Sequence, residues 1–160
     1  MWVQKTWESA RAFANDSVGY VGRIASFRSI FTSMNTVKDT LRSTVRVGYD
    51  GRVFKQFRGP DARTRCAQEV AVLQHLQAQD CAFVPRLLEV DFDQLQIVTT
   101  NCGSPVEHLD EERMAEVFAQ LLPFGVRHED QSMRNVTYRQ SDGRFCLIDF
   151  EFATLLPQSK

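Results

Sequence analysis

The stretch Arg127–Asn135, RHEDQSMRN, gathers one His, two acids, one Asn and two Arg into nine residues. Patterns of different period flank it. Upstream, Met114, Val117, Phe118 and Leu121 recur at helical spacing and stop at Pro123 and Gly125, residues that end helices. Downstream, NVTYRQSDGRFCLIDF reads as two β runs joined at Asp142-Gly143, a pair suited to a tight hairpin turn. The second run closes on Leu147-Ile148-Asp149-Phe150-Glu151. An Asp held between Ile and Phe on a strand predicted to be buried needs a partner, because a lone carboxylate is costly to remove from water.

Further upstream, STVRVGYDGRVFKQF gives another hairpin, turned at Asp50-Gly51 as a tight type I′ turn and carrying Lys55 on its second strand. Pro60 suits a first helical turn, and Ala67, Val70, Leu73 and Leu76 or Gln77 predict a helix over about 61–79, with Glu69 on it. VPRLLEVDFDQLQIVTT reads as a second strand pair around Asp91–Asp93, and Ser104-Pro105-Val106-Glu107 fits a capping box that starts a short helix. The order is an antiparallel sheet interrupted by one helix, then a small helical part with a loop and a hairpin. That is an α+β chain in two small lobes.

Composition sets the outer bounds. At 160 residues, with 43% hydrophobic and 24% charged residues, the chain suits one core and is short for two comfortable domains. A net charge of −1 gives no basic surface for nucleic acid. Cys66, Cys81, Cys102 and Cys146 are scattered without metal-ligand or disulfide spacing, so a reducing cytoplasm is the simplest compartment. No apolar run reaches the roughly 18 residues of a membrane span. Residues 1–32 carry Trp2, Trp7, Phe13, Tyr20, Phe27 and Phe31 among Arg11, Arg23 and Arg28. They read as an amphipathic helical segment packed on the domain, with membrane-surface contact as the alternative.

His128-x-Asp130 followed by Asn135 has the spacing H-x-D-x-x-x-x-N. Three fixed residues would coincide by chance in about one chain in a hundred of this length. Each residue has a plain alternative: Asp130 and Asn135 as turn caps, Lys55 as a surface strand lysine, Glu69 as a solvated helix residue. Their order decides. A strand lysine, a helix glutamate, a strand leaving into a turn at Thr99–Gly103, the H-x-D-x-x-x-x-N loop and an Asp-Phe pair succeed one another. Over about residues 33–153 the chain resembles the protein-kinase-like superfamily.

The resemblance implies ATP and Mg²⁺ as cofactors and phosphoryl transfer as the reaction. By position, it implies that Lys55 meets the ATP phosphates, Glu69 holds Lys55, and Thr100, Asn101 and Cys102 flank adenine. Asp130 would be the catalytic base or acceptor orienter, Asn135 and Asp149 would hold Mg²⁺, and His128 would brace the loop. Residues 33–160 would form a minimal domain, with a first lobe over about 33–101 and a reduced second lobe over about 102–160.

The departures bear on the substrate. No G-x-G-x-x-G precedes Lys55; its place falls to a turn at Ser33–Thr40. Glu151 replaces the glycine of D-F-G, as in choline-kinase and aminoglycoside-phosphotransferase relatives, and Ser132 stands where protein kinases favour Lys. No A-P-E segment follows. The acceptor is thus a hydroxyl of a protein or a small molecule, and a second copy or a partner protein would complete the small second lobe. A nucleotide- or partner-binding module without turnover is the competing expectation, and a lipid kinase a third. Arg127, Glu129 and Arg134 read as solvated or structural.

Overall fold

The computed structural model describes residues 35–157. The aromatic segment expected over 1–32, and Ser33 and Met34 of the expected phosphate turn, lie outside the described residues.

The β-rich first half pairs as read. Strands β1 (Asn35–Asp39), β2 (Ser43–Val47), β3 (Arg52–Phe57), β4 (Leu87–Asp91) and β5 (Gln96–Thr100) form one antiparallel sheet in the order β1-β2-β3-β5-β4. The segment expected as a phosphate-covering turn is therefore mostly strand. The turn itself is Thr40–Arg42, where the Thr40 hydroxyl accepts from the backbone N–H groups of Arg42 at 3.2 Å and Ser43 at 3.1 Å. Within β1 the register slips between Thr36 and Lys38, so that Lys38, not Val37, sits opposite Val45. This one-residue bulge turns Lys38 to the face that Val45 occupies.

The hairpin turns are looser than two-residue type I′ turns. Tyr49-Asp50-Gly51 is a three-residue loop: Gly48 N–H donates to the Arg52 carbonyl at 2.9 Å, and only Gly51 takes positive φ, at 76°. A type I turn followed by one left-handed residue meets the strand twist with a single glycine. The Asp142-Gly143 hairpin likewise uses four residues, 140–143, with Gly143 at φ 68°.

Helix α1 (Ala62–Ala78) lies between β3 and β4. Pro60 precedes its cap, Asp61, whose backbone is left-handed. Its buried face runs through Ala62, Arg65, Cys66, Glu69, Val70, Leu73 and Leu76, whereas Ala67 faces solvent. Leu73 and Leu76, packed in one core with Phe57, Ile97 and Val84, each contribute about 2 kcal/mol by leaving water. Two charged residues share that apolar stripe, which directs them at other charges.

After β5 the chain crosses at 101–103 into a smaller part. Ser104-Pro105 does not cap a helix; it is a two-residue strand, β6, opposite Tyr138 and Thr137. An edge position tolerates the missing proline N–H. Helix α2 (Glu111–Ala119) starts later, where the Asp110 carboxylate accepts from Arg113 N–H at 2.7 Å. A 3-10 turn at Leu122–Phe124 and left-handed Gly125 end this part, as Pro123 and Gly125 predict. Then come β7 (Val126–Arg127), a 3-10 turn at Met133–Asn135, β8 (Val136–Arg139), β9 (Arg144–Leu147) and β10 (Thr154–Leu155). Strands β6-β8-β9 form one small sheet and β7-β10 another. Gly103 is fixed by close approach: at φ 101°, a Cβ there would lie 2.1 Å from the Tyr138 carbonyl oxygen. Among the described residues, no helix is long and apolar enough to cross a membrane.

Candidate functional site

Lys55 points from β3 into a buried ring of carboxylates. Its Nζ lies 2.6 Å from Glu69 on α1, 2.5 Å from Asp149 and 3.6 Å from Glu151. Lys55 and Glu69 are 7% and 4% exposed, so water cannot stand in for either partner. Burial alone would lower the Lys55 pKa, but the facing Glu69, Asp149 and Glu151 charges outweigh it and raise the pKa. Burial likewise works against ionised Asp149, and is outweighed by Lys55 and then Lys38, which hold its carboxyl at about 2. Burial pushes the Glu69 carboxyl up against the pull of Lys55.

Sequence reasoning missed part of this cluster. The buried Arg65 guanidinium, one helical turn before Glu69, donates to Glu151 at 2.9 Å and to the carbonyls of Arg58, Pro60 and Arg42. Lys38, carried inward by the bulge, reaches Asp149 at 3.2 Å. Glu151 had a visible signal, an acid in place of glycine after Asp-Phe; Arg65 had one in its place on the apolar stripe. Lys38 had none, since only the bulge aims it.

Lys55, Glu69 and Asp149 of this ring form one wall of a cavity of about 330 Å³. Val45, Val53, Ile97 and Ile148 supply apolar walls, and Thr100, Asn101, Cys102 and Gly103 one edge. Asn135, Asp149 and Arg134 border it on the loop side. Cys102 is buried, and its N–H meets no partner among the described residues, while its carbonyl accepts from the Thr137 hydroxyl at 2.9 Å.

The residues of the H-x-D-x-x-x-x-N loop separate into different surroundings. Asn135 is buried; its amide nitrogen donates to the Asp130 carbonyl at 2.9 Å, and its backbone carbonyl accepts from Ile148 N–H at 3.0 Å. These bonds fasten the loop to the segment that carries Asp149. Asp149 has φ 68°, a conformation that non-glycine residues adopt rarely and that Asp tolerates better than most. Asp130 borders a second, open cavity of about 460 Å³, shared with Lys38, Arg42, Arg134, Asp149 and Phe152. Arg134, read as a bystander, donates to the Asp130 carboxylate at 2.7 Å and holds its pKa below the usual range. Lys38, Arg134 and Asp149 border both cavities.

His128 touches neither cavity. It is buried between Phe118 and Phe150, with ring centroids 5.1 and 5.2 Å away. Its Nε2 donates to the Ile148 carbonyl at 3.0 Å, which leaves Nδ1 buried without a partner among the described residues. Burial lowers its pKa. The unfolded chain takes up this proton near pH 6.5 and the folded chain only at lower pH. The unfolded state therefore binds more protons in between, and stability falls as pH drops below that value. Denaturant unfolding from about pH 7 to about pH 5 should show this loss, and His128→Asn should flatten the slope.

Glu69, Asp149 and Glu151 oxygens all lie within 4.8 Å of one another. Carboxylates and the Asn135 amide are hard oxygen donors, the type that Mg²⁺ takes. Lys38 on Asp149 is 44% exposed and can yield its place to a cation at small cost.

No protein-family model matches the chain. No curated protein matches it either. Solved structures do. The fold is protein-kinase-like: the Rio2 kinase–ADP/Mg²⁺–phosphoaspartate complex from Chaetomium thermophilum superposes with a TM-score of 0.55 at 16% identity. The match covers 77% of this chain and 49% of that one, so this chain spans about half the length of that kinase.

Proposed function

We propose that the chain is an ATP- and Mg²⁺-dependent phosphotransferase that moves the γ-phosphoryl group to a hydroxyl oxygen. The observation that carries this reading is buried Lys55, bonded to both Glu69 and Asp149 at the wall of a cavity that sets apolar Val45, Val53, Ile97 and Ile148 beside polar Asn135 and Arg134. The five-stranded sheet with α1 is read as the lobe over the nucleotide, and the part from about residue 102 as a reduced second lobe. Adenine would lie among Val45, Val53, Ile97 and Ile148, where the Cys102 N–H offers it a donor. Lys55, held by Glu69, would meet the phosphates. Asn135 and Asp149 would hold Mg²⁺, which when bound supplies positive charge to the phosphate oxygens.

In the transfer, the acceptor oxygen bonds to the γ-phosphorus as the bond to the bridging oxygen breaks. ADP leaves with that electron pair, and the acceptor proton passes to Asp130. A carboxylate kept acidic by Arg134 is a weak base, suited to orienting the hydroxyl and taking its proton late. Glu151, and Ser132 in place of Lys, lean the reading toward the branch that acts on small hydroxyl compounds.

A second reading has its own support. Asp149 is already paired with Lys38 and Lys55, and Asp130 with Arg134, as a module that binds nucleotide without turnover would allow. Thermal melting in millimolar ATP tests what the two readings share. With a Kd near a hundredth of that concentration, Mg·ATP should stabilise the fold by about 2.7 kcal/mol, a shift of several degrees. No shift would remove both readings. Asp130→Ala should keep the shift and lose transfer; wild-type protein that shifts yet transfers nothing would select the module.

A further inference from the structure

We infer that the open cavity beside Asp130 is the acceptor site, and that Arg42 makes it selective for a hydroxyl compound bearing a carboxylate or phosphate. This rests on the phosphotransferase reading above and names its substrate class.

The cavity wall holds three cations and three acids: Lys38, Arg42 and Arg134 against Asp130, Asp149 and Glu151. Each acid is already taken. Asp149 is paired with Lys55 and Lys38, Glu151 with Arg65, and Asp130 with Arg134. Lys38 and Arg134 are spoken for by the same pairs. Arg42 is the one cation of this wall whose side chain has no carboxylate among the described residues. Its guanidinium lies over the Phe152 ring, 5.7 Å from the centroid, an arrangement that orients the group and leaves its N–H edge open to an anion.

The surroundings fix Arg42 in place. Its carbonyl accepts from Arg58 N–H at 2.8 Å and from both terminal nitrogens of buried Arg65 at 3.3 and 3.4 Å. Its own N–H donates to the Thr40 hydroxyl. The turn between β1 and β2 is therefore tied to the buried ring, and the guanidinium extends from an anchored backbone. Leu41 beside it is 91% exposed and Phe152 42%, which gives the mouth an apolar rim for the carbon skeleton of an acceptor. At about 460 Å³, the space is within the ordinary range for small ligands. Lys38, Arg134 and Asp149 line both this space and the nucleotide cavity, so a hydroxyl bound here lies next to the γ-phosphate.

Kinetics on the full chain tests this with three acceptor probes: glycerol 3-phosphate, glycerol, and a serine peptide flanked by Asp and Glu. Mg·ATP-dependent melting is recorded alongside, so that failure of the parent reading is seen separately. Either anionic probe should be phosphorylated with a KM at least about tenfold below that of glycerol. The one preferred tells a small acceptor from an acidic peptide. Arg42→Ala should remove that advantage, raising the KM of the anionic probe about tenfold or more with kcat, the KM for ATP and glycerol turnover unchanged. Arg42→Lys should restore part of it. The side chain is exposed on the Phe152 ring and the bonds that hold the turn are made by the Arg42 backbone, so the variant keeps its fold, which melting checks. Equal KM values for glycerol and both anions, or a loss in Arg42→Ala that falls equally on all three, would overturn the inference even if Mg·ATP binds. A chain that does not bind Mg·ATP overturns it together with its parent.

Discussion

Asp149→Asn should lower Mg²⁺-dependent phosphoryl transfer by about 10³-fold while the chain stays folded. Asparagine keeps the shape of the side chain and is one of the few residues at ease with the left-handed backbone at 149, where φ is 68°. What it removes is charge. The carboxyl, held at about 2 by Lys55 and Lys38 against its burial, is ionised at any working pH. Its stabilising effect is present above the unfolded value of 3.8 and fades only as pH falls toward 2. The amide cannot offer a metal that charge. Lys55 is not stranded, because Glu69 at 2.6 Å and Glu151 at 3.6 Å remain. The stability loss should stay at about 1–2 kcal/mol. Transfer rates and melting, each with and without Mg²⁺, give the two readouts. A variant that keeps wild-type transfer and its Mg²⁺ dependence would remove Asp149 from the metal site.

The site's chemistry was legible where a residue's type contradicted its place. Asp149 between Ile148 and Phe150 demanded a partner, and Lys55 supplied it from the expected strand, itself held by Glu69 on the expected helix. Local pattern failed where tertiary pairing decided the outcome. Ser104-Pro105-Val106-Glu107 has the letters of a capping box, but β8 offers its backbone to Ser104 and Pro105 first. The face of α1 was misjudged by counting only apolar residues: Ala67 is exposed, while Arg65 is inside. A bulge has no sequence signature here, so Lys38 could not be aimed at Asp149. Arg134 was set aside because its pairing with Asp130 depends on the short 3-10 turn that brings the two together.

Glu151→Gly would restore the glycine of the D-F-G pattern, and it should weaken the protein by about 3 kcal/mol. The pattern suggests a position that wants backbone freedom. The left-handed residue of this segment is Asp149; Glu151 is absent from the positive-φ residues, so glycine offers it nothing and adds disorder to the unfolded chain. The carboxylate removed is 9% exposed, 2.9 Å from Arg65 and 3.6 Å from Lys55. Arg65 would keep its carbonyl partners but lose the one acid it pairs with among the described residues, leaving a buried cation without a counter-charge there. Arg65→Met should cost at least as much, since it abandons Glu151 and the carbonyls of Arg58, Pro60 and Arg42 together. The double variant has no stranded charge of this pair. It should fall short of the sum of the single losses by about 1 kcal/mol or more in denaturant unfolding. Additive losses would mean that Arg65 and Glu151 act independently. A neutral Glu151→Gly would mean that this acid is not part of what holds α1 to the segment after Asp149.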